Sequence, residues 1–447
     1  MERNEDLIKW LLVLVGVIMT DFYFFPLTLR VLPYGNTKML LALAAIVLLL
    51  FTPHKYMRNG NTLRPFIIMC VYALFVSFFT FVTVVVNNTH DYTYVSYIIS
   101  MLVWLGGAYT LLRYLRFVHG DLSLRIVVFY LLAVCMLQCV SAILLLRYPV
   151  FLNWVDSIVV GQKDMMEYGG DERMFGISCG FDVAGIRFSS VLVLAFFFLK
   201  SMIIDKNNNY WTKALYCSSL VVITVIGNNI ARTTTIGLIL GLAYVGWQSL
   251  FPSDNSGCKQ MWKWIVVTSL IGVLICIWLY HTDIHFRNDL RFGFEGFFSL
   301  VETGKWTTHS TEILQGMYVF PENLNTWFWG DGLFIDTTQE PWYVGPTYEG
   351  YYMGTDVGYL RFIFYFGTLG LMSFLAFLLY SMKVCIMKFP THKILFYWLM
   401  LLQLIIFMKV ATDIFMVFAL CIACGFVCEQ YGIKEYSYEG KETYSVD

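Results

Sequence analysis

Stretches of about 17 to 25 residues with almost no charge recur along this sequence, the length an α-helix needs to cross a bilayer core. Residues 8–28, for example, carry only Lys9 and Asp21 as charges. Inside hydrocarbon no water is at hand to bond a peptide N–H or C=O, so such a stretch must satisfy its own backbone and become a helix. Composition agrees: 58% of the 447 residues are hydrophobic and 14% charged, where soluble domains carry about a quarter. The expected fold is all-α, a polytopic integral membrane protein with about 12 transmembrane helices in one integral domain over residues 1–447. The expected spans are approximately 8–28, 38–53, 65–86, 93–112, 126–146, 186–204, 214–230, 233–250, 264–280, 356–380, 393–410 and 412–428. No small-residue cleavage site follows the first apolar stretch, which is expected to remain as a span.

Lysine and arginine set the expected orientation. With the N-terminus inside, the inner segments hold Arg3, Lys9, Lys55, Arg58, Arg64, Arg113, Arg116, Arg125, Lys200, Lys206, Lys213, Lys259, Lys263, Lys383, Lys388, Lys393, Lys434 and Lys441, which is 18 of the 30 basic residues. Both termini are then cytoplasmic. Two long connections, 147–185 and 281–354, face outward, and the second is expected to contain short helices. Of eleven cysteines only Cys179 lies in an outer loop, so no disulfide framework is implied. Cys421, Cys424 and Cys428 share a helix face with no partnering histidine, which suits packing better than a metal.

The charges near the outer membrane face ask for a reason. Arg187, Arg232 and Arg361 fall at or just inside span ends, where a buried guanidinium is costly and usually functional. Arg287 and Arg291 open the large loop four residues apart, on one face of any helix there. Guanidinium is a planar fork that fits phosphate oxygens two at a time, so a cluster at this level points to an anionic lipid head group, pyrophosphate above all. Each arginine also suits plain snorkelling to the interface. Outer acids include Asp171, Glu172 and Asp182 in the first loop and Glu295, Glu302, Asp331, Asp336, Glu340 and Glu349 in the second. Asp356 is expected to begin a span. It stands five residues from Arg361, about 140° around a helix, so the two are not expected to pair locally. Asp356 is a candidate base for a sugar hydroxyl, or an acid facing a helix N-terminus. His309 is a second candidate base, or an ordinary surface histidine. Trp327, Phe328, Trp329, Trp342, Tyr343, Tyr348, Tyr351 and Tyr352 suit sugar stacking and equally an interfacial belt. Lys409 and Asp413 are expected to close the last outer hairpin.

Trp327-Phe328-Trp329-Gly330-Asp331-Gly332-Leu333-Phe334, then Thr355-Asp356-Val357-Gly358-Tyr359-Leu360-Arg361, then Phe366-Gly367-Thr368-Leu369-Gly370 resembles the C-terminal outer loop and following helix of the O-antigen and capsule repeat-unit polymerases of the Wzy-dependent pathway, and of the related O-antigen ligases. Ala231-Arg232-Thr233 resembles the Ser-Arg-Thr hairpin of that superfamily. The resemblance implies a metal-independent membrane glycosyltransferase with no cofactor, at the outer face of a bacterial inner (plasma) membrane. It would move a growing glycan from undecaprenyl diphosphate to a lipid-linked repeat unit. Arg187, Arg232, Arg291 and Arg361 match the places of diphosphate-binding arginines. Arg232, Arg361 and Asp356 become the expected catalytic residues. Arg187, Arg287, Arg291, His309, Trp327 and Tyr359 become the expected substrate contacts. The expected partners are the undecaprenyl-diphosphate-linked oligosaccharide, membrane lipid and a chain-length regulator, with no nucleic acid. Two departures matter. Asp356 stands near the place where ligases carry His, which favours a polymerase. The arginine–glycine spacing of some polymerases is absent after Arg287 and Arg291. The alternatives are an O-antigen ligase acting on another acceptor and a flippase or transporter for the lipid-linked sugar. The second lacks the inverted repeat and matched broken helices that transporters show.

Overall fold

The computed structural model describes residues 2–32, 35–51, 60–169, 173–206, 208–251, 255–335 and 350–432. Lys55, Arg58, Lys434 and Lys441 of the expected inner set lie outside these residues. The described elements are helices, with isolated bridges at Gly176–Cys179 and Ile335–Tyr351. In chain order they are α1 (Glu2–Phe24), α2 (Thr37–Leu50), α3 (Gly60–Val86), α4 (Tyr97–His119), α5 (Leu124–Arg147), α6 (Pro149–Ile158), α7 (Gln162–Gly169), α8 (Phe181–Ile204) and α9 (Tyr210–Ile230). There follow α10 (Thr234–Leu250), α11 (Asn255–Thr282), α12 (Ile284–Gly293), α13 (Glu295–Thr303), α14 (His309–Gly316), α15 (Leu324–Trp329), α16 (Gly358–Lys388), α17 (Lys393–Ile406) and α18 (Phe415–Gln430).

Eight of these, α1, α3, α4, α5, α8, α9, α11 and α16, are long and apolar enough to cross a membrane. Four shorter apolar helices, α2, α10, α17 and α18, fall on the other expected spans. At 14 residues α2 is about 21 Å long, short of a hydrocarbon core of about 30 Å. The surface explains why a bilayer is needed. In its most apolar stretch α11 has no fully buried residue, and Val266, Leu270, Ile271, Val273, Leu274 and Ile277 are all exposed. An apolar face that large marks a surface that meets lipid or other protein rather than water, and its length and composition suit a bilayer. None of the eleven cysteines is in a disulfide, and thiols donate to backbone carbonyls at Cys258 (Gln248 O), Cys385 (Phe418 O) and Cys428 (Leu122 O), among others.

The described residues fall into two compact units, one drawn from residues 2–124 and 310–432, the other from 125–309. In the second unit α8 is the packing centre, with 83% of its apolar stretch buried. Gly185 and Gly237 let neighbours close on it: a Cβ at Gly185 would lie 2.8 Å from the side chains of Ala231 and Thr233, and one at Gly237 would overlap the Ser189 backbone.

In the first unit α16 runs for 31 residues but breaks at Phe366 (φ −133°, ψ 17°) and Gly367 (φ 69°, ψ −177°). Only glycine adopts the second conformation without strain, and a Cβ on Gly367 would overlap the Phe328 carbonyl oxygen. A broken helix at membrane depth needs other protein to satisfy its backbone. The Gly330–Gly332 turn does this: Asp331 N–H donates to Phe364 O (2.6 Å) and Gly332 N–H to Tyr365 O (3.1 Å). The turn is in turn held by the end of α3, with Thr83 Oγ1 donating to Trp329 O (2.7 Å), Asn87 Nδ2 to Gly330 O (3.1 Å) and Thr89 Oγ1 to Gly332 O (2.8 Å). Two stretches some thirty residues apart in sequence thus pack backbone to backbone.

Candidate functional site

In the first unit the charged centre is Asp356 with Arg361. They pair, Nη1 to Oδ1 at 3.1 Å, and both are buried, at 8% and 6% exposure. This corrects the expectation that they stand apart. That expectation placed Asp356 on the helix, but α16 begins at Gly358. Thr355 is extended (ψ 129°) and Val357 is non-helical (φ −60°, ψ 115°), so Asp356 precedes the helix and its carboxylate reaches Arg361. Arg361 also donates from Nε to Phe334 O (3.1 Å), and its guanidinium carbon lies 3.8 Å from the Phe334 ring centre and 4.3 Å from that of Tyr351. Its fork is turned inward onto a carboxylate, a carbonyl and two rings.

An apolar cavity of about 470 Å³ in the same unit is lined by Tyr318, Phe320, Trp327, Val357, Tyr359 and Leu360, among others, and neither Asp356 nor Arg361 is in its wall. Two expected substrate contacts, Trp327 and Tyr359, therefore share one wall system. Each is fixed: Trp327 Nε1 donates to Pro321 O (3.0 Å) and Tyr359 Oη to Leu404 O (2.9 Å). Asp331 accepts from Thr326 Oγ1 (2.6 Å) and Tyr352 Oη (3.2 Å). Trp342, Tyr343, Tyr348, Asp336, Glu340 and Glu349 lie outside the described residues.

Sequence reasoning missed Asp91. Its Oδ2 accepts from Phe334 N–H (2.7 Å) and Ile335 N–H (3.3 Å), which fixes the loop that presents Phe334 to Arg361. The available signal was Asp91-Tyr92-Thr93: an aspartate that caps its own turn, here through Thr93 Oγ1 (2.5 Å), between two apolar runs. Asp413 accepts from Phe415 N–H (2.7 Å) at the start of α18, a capping role.

In the second unit the centre is the hairpin between α9 and α10. Ala231 ends α9 in extended conformation (φ −154°, ψ 119°), and Arg232 stands at the tip. Thr233 Oγ1 donates to Asp182 Oδ1 (2.7 Å), and Ser189 Oγ donates to Thr233 O (2.8 Å), so α8 fixes the hairpin's far side. Arg173 Nε donates to Ile230 O (3.3 Å). Arg232 lies under the short helices of the large loop. Its Nε donates to Phe292 O (3.1 Å), its Nη2 meets Glu295 Oε2 at 2.7 Å, and its carbon lies 4.4 Å from the Phe292 ring centre. Its side chain keeps 19% of its exposure and that of Glu295 35%.

The other expected residues of this unit are placed differently. Arg287 Nε donates to Tyr280 O (2.9 Å) and Arg291 Nη1 to Tyr280 Oη (3.3 Å), so both wrap the end of α11. Arg291 Nη2 also grips both oxygens of Glu302, at 2.8 and 3.1 Å. The Tyr280 and Glu302 bonds raise the Arg291 pKa above its ordinary value. Arg187, half-buried, stands two residues from both Gly185 and Ser189, about 200° around α8 from the face that holds the hairpin. His309 is exposed, and its backbone N–H donates to Glu295 Oε1 (3.2 Å). Asp171 and Glu172 lie outside the described residues. Among the described residues no cluster of three or more His, Cys, Asp or Glu could hold a metal ion.

No protein-family model, no curated protein and no solved structure matches this chain.

Proposed function

We propose that the protein is a membrane glycosyltransferase of the polysaccharide-polymerase kind, with twelve spans and both termini cytoplasmic. It takes a glycan from undecaprenyl diphosphate and hands it to a lipid-linked repeat unit at the outer face of a bacterial plasma membrane. The observation that carries this is Arg232, a half-buried guanidinium at a hairpin tip whose counter-ion is a partly exposed carboxylate. A phosphate oxygen can replace that carboxylate without any change in the fork. The lipid-like cavity lined by Trp327 and Tyr359 adds support, because a prenyl chain or the apolar face of a sugar fits such walls.

In the reaction an acceptor hydroxyl attacks the anomeric carbon, and the bond from that carbon to the diphosphate oxygen breaks. The electron pair leaves with undecaprenyl diphosphate and the hydroxyl proton passes to a base or to solvent. Negative charge grows on the leaving diphosphate, where a preorganised guanidinium in a poorly solvated place stabilises it. Arg232 takes that role. In the first unit the Asp356–Arg361 pair stands next in the chain to Val357 and Leu360, which line the apolar cavity.

The test is product analysis of purified protein in nanodiscs supplied with lipid-linked repeat units. Chains of increasing length from the wild type, with none from Arg232→Ala, are expected. Movement of the lipid-linked sugar across the bilayer without new glycosidic bonds would replace this proposal with a flippase.

A further inference from the structure

Asn228 and Asn229 end α9 with adjacent amides, and the protein treats them unequally. Asn228 is satisfied: Nδ2 donates to Thr224 O (2.8 Å) and Oδ1 accepts from Thr235 Oγ1 (2.6 Å). Asn229 has 0% exposure, and neither its Oδ1 nor its Nδ2 has a hydrogen-bond partner. A buried amide bare at both ends is rare in a folded protein, because it forgoes the bonds that water gives it in the unfolded chain. What lies over it is Gly293. A Cβ at that position would overlap Asn229 Oδ1 and sit 3.2 Å from its backbone nitrogen, so only glycine lets α12 lie so close.

The residues on either side of Gly293 close over Arg232. Phe292 supplies a carbonyl and a ring, and Glu295 supplies the carboxylate. The same short strap therefore covers an unsatisfied amide and neutralises a guanidinium three residues further along the chain. Carboxylate and phosphate present the same pair of oxygens to an arginine fork. A strap whose carboxylate imitates the ligand can be displaced by it, and the bare amide then gains the partner it lacks.

We propose that α12 and α13 form a lid over a phosphate site made by Arg232 and Asn229, with Glu295 as a built-in substitute for a phosphate oxygen. This rests on the polymerase reading above and extends it. The ligand is the diphosphate of a prenyl lipid. When it enters, its oxygens take Arg232 from Glu295, Gly293 lifts, and Asn229 Nδ2 donates to a phosphoryl oxygen. With the site empty the lid stays shut and screens the guanidinium from other anions. Asn229 is then a binding residue that shows itself only as a structural fault while the lid is closed.

The experiment measures farnesyl diphosphate binding to full-length protein in nanodiscs, together with hydrogen exchange over residues 284–303. Farnesyl diphosphate is expected to speed exchange over that segment in the wild type. Glu295→Gln should bind the probe several-fold more tightly and exchange faster there even without it. Asn229→Leu should bind about tenfold more weakly while melting no lower than wild type, because leucine leaves no amide unsatisfied. Wild-type affinity and exchange in Glu295→Gln, or wild-type affinity in Asn229→Leu, overturns the lid. Should Asn229→Leu not fold, Glu295→Gln decides alone. Arg232→Ala separates the two failures. Binding lost in Arg232→Ala but unchanged in the other two variants leaves the phosphate site standing without a lid. Binding unaffected in Arg232→Ala, or no binding by the wild type, removes both.

Discussion

Arg361 and Arg232 are the same side chain near the same kind of helix boundary, yet their surroundings differ in kind. Arg361 is enclosed, with a buried carboxylate, a carbonyl and two rings around it. Arg232 keeps an edge towards solvent, and its carboxylate partner sits on a short surface helix. Enclosure makes a guanidinium part of the fold, because removing either partner leaves an uncompensated charge where water cannot reach. A partly open pair has little net worth, and that leaves it free to exchange partners. The two arginines look alike in the sequence and part company only through what the chain lays over them.

The sharpest way to break this comparison is to remove the enclosed partner. Asp356→Ala should lose roughly 3–5 kcal/mol of stability, read as a fall in the melting temperature of purified protein, and Asp356→Leu with Arg361→Met should recover most of it. If the single variant melts like wild type, Arg361 is not the fixture described. Next comes the support beneath it. Gly367→Ala should cost at least about 1–3 kcal/mol through the positive φ alone, before the overlap with Phe328 O is counted. Arg232→Ala should change stability by no more than about 1 kcal/mol while abolishing chain growth. A large loss of stability there would place Arg232 in the same class as Arg361.

The smallest effect is at the start of α12. Asp283 caps α12 by accepting from His285 and Phe286 N–H, and these bonds, with Arg147 nearby, hold its carboxyl below the ordinary 3.8. A carboxyl lowered by folding stabilises the folded state above its unfolded value and stops doing so as pH falls through its folded value. Protection of the 284–293 amides, relative to their intrinsic exchange rates, should therefore be steady down to about pH 4 and fall below it, and Asp283→Asn should remove that step.

The helices were legible because a bilayer leaves an apolar run so few choices, and a helix lies on each of the twelve expected ranges. The tight hairpin at Arg232 was legible for the same reason: two apolar runs with four polar residues between them. The Asp356–Arg361 pair was not, because the angle argument assumed a helix from Asp356, and a start two residues later reverses the conclusion. The break at Gly367 was hidden too. A glycine in Phe366-Gly367-Thr368-Leu369-Gly370 reads equally as a packing residue, and its backbone angles depend on the turn at Gly330, far away in sequence. Asp91, Glu295 and Asn229 share that difficulty. Each acts across a long sequence gap, and composition carries no record of which distant backbone a side chain will meet.

The stitching of the Gly330–Gly332 turn into the broken helix has a consequence for engineering. A graft of the large loop from another protein cannot be cut cleanly at the ends of its flanking helices. It would have to bring its own Phe328–Gly332 region, the matching notch at Phe366–Gly367 and the hydroxyl and amide row from Thr83 to Thr89, or leave open peptide groups facing lipid. Chimeras that respect those three seams should insert and fold, and those that divide them should be degraded.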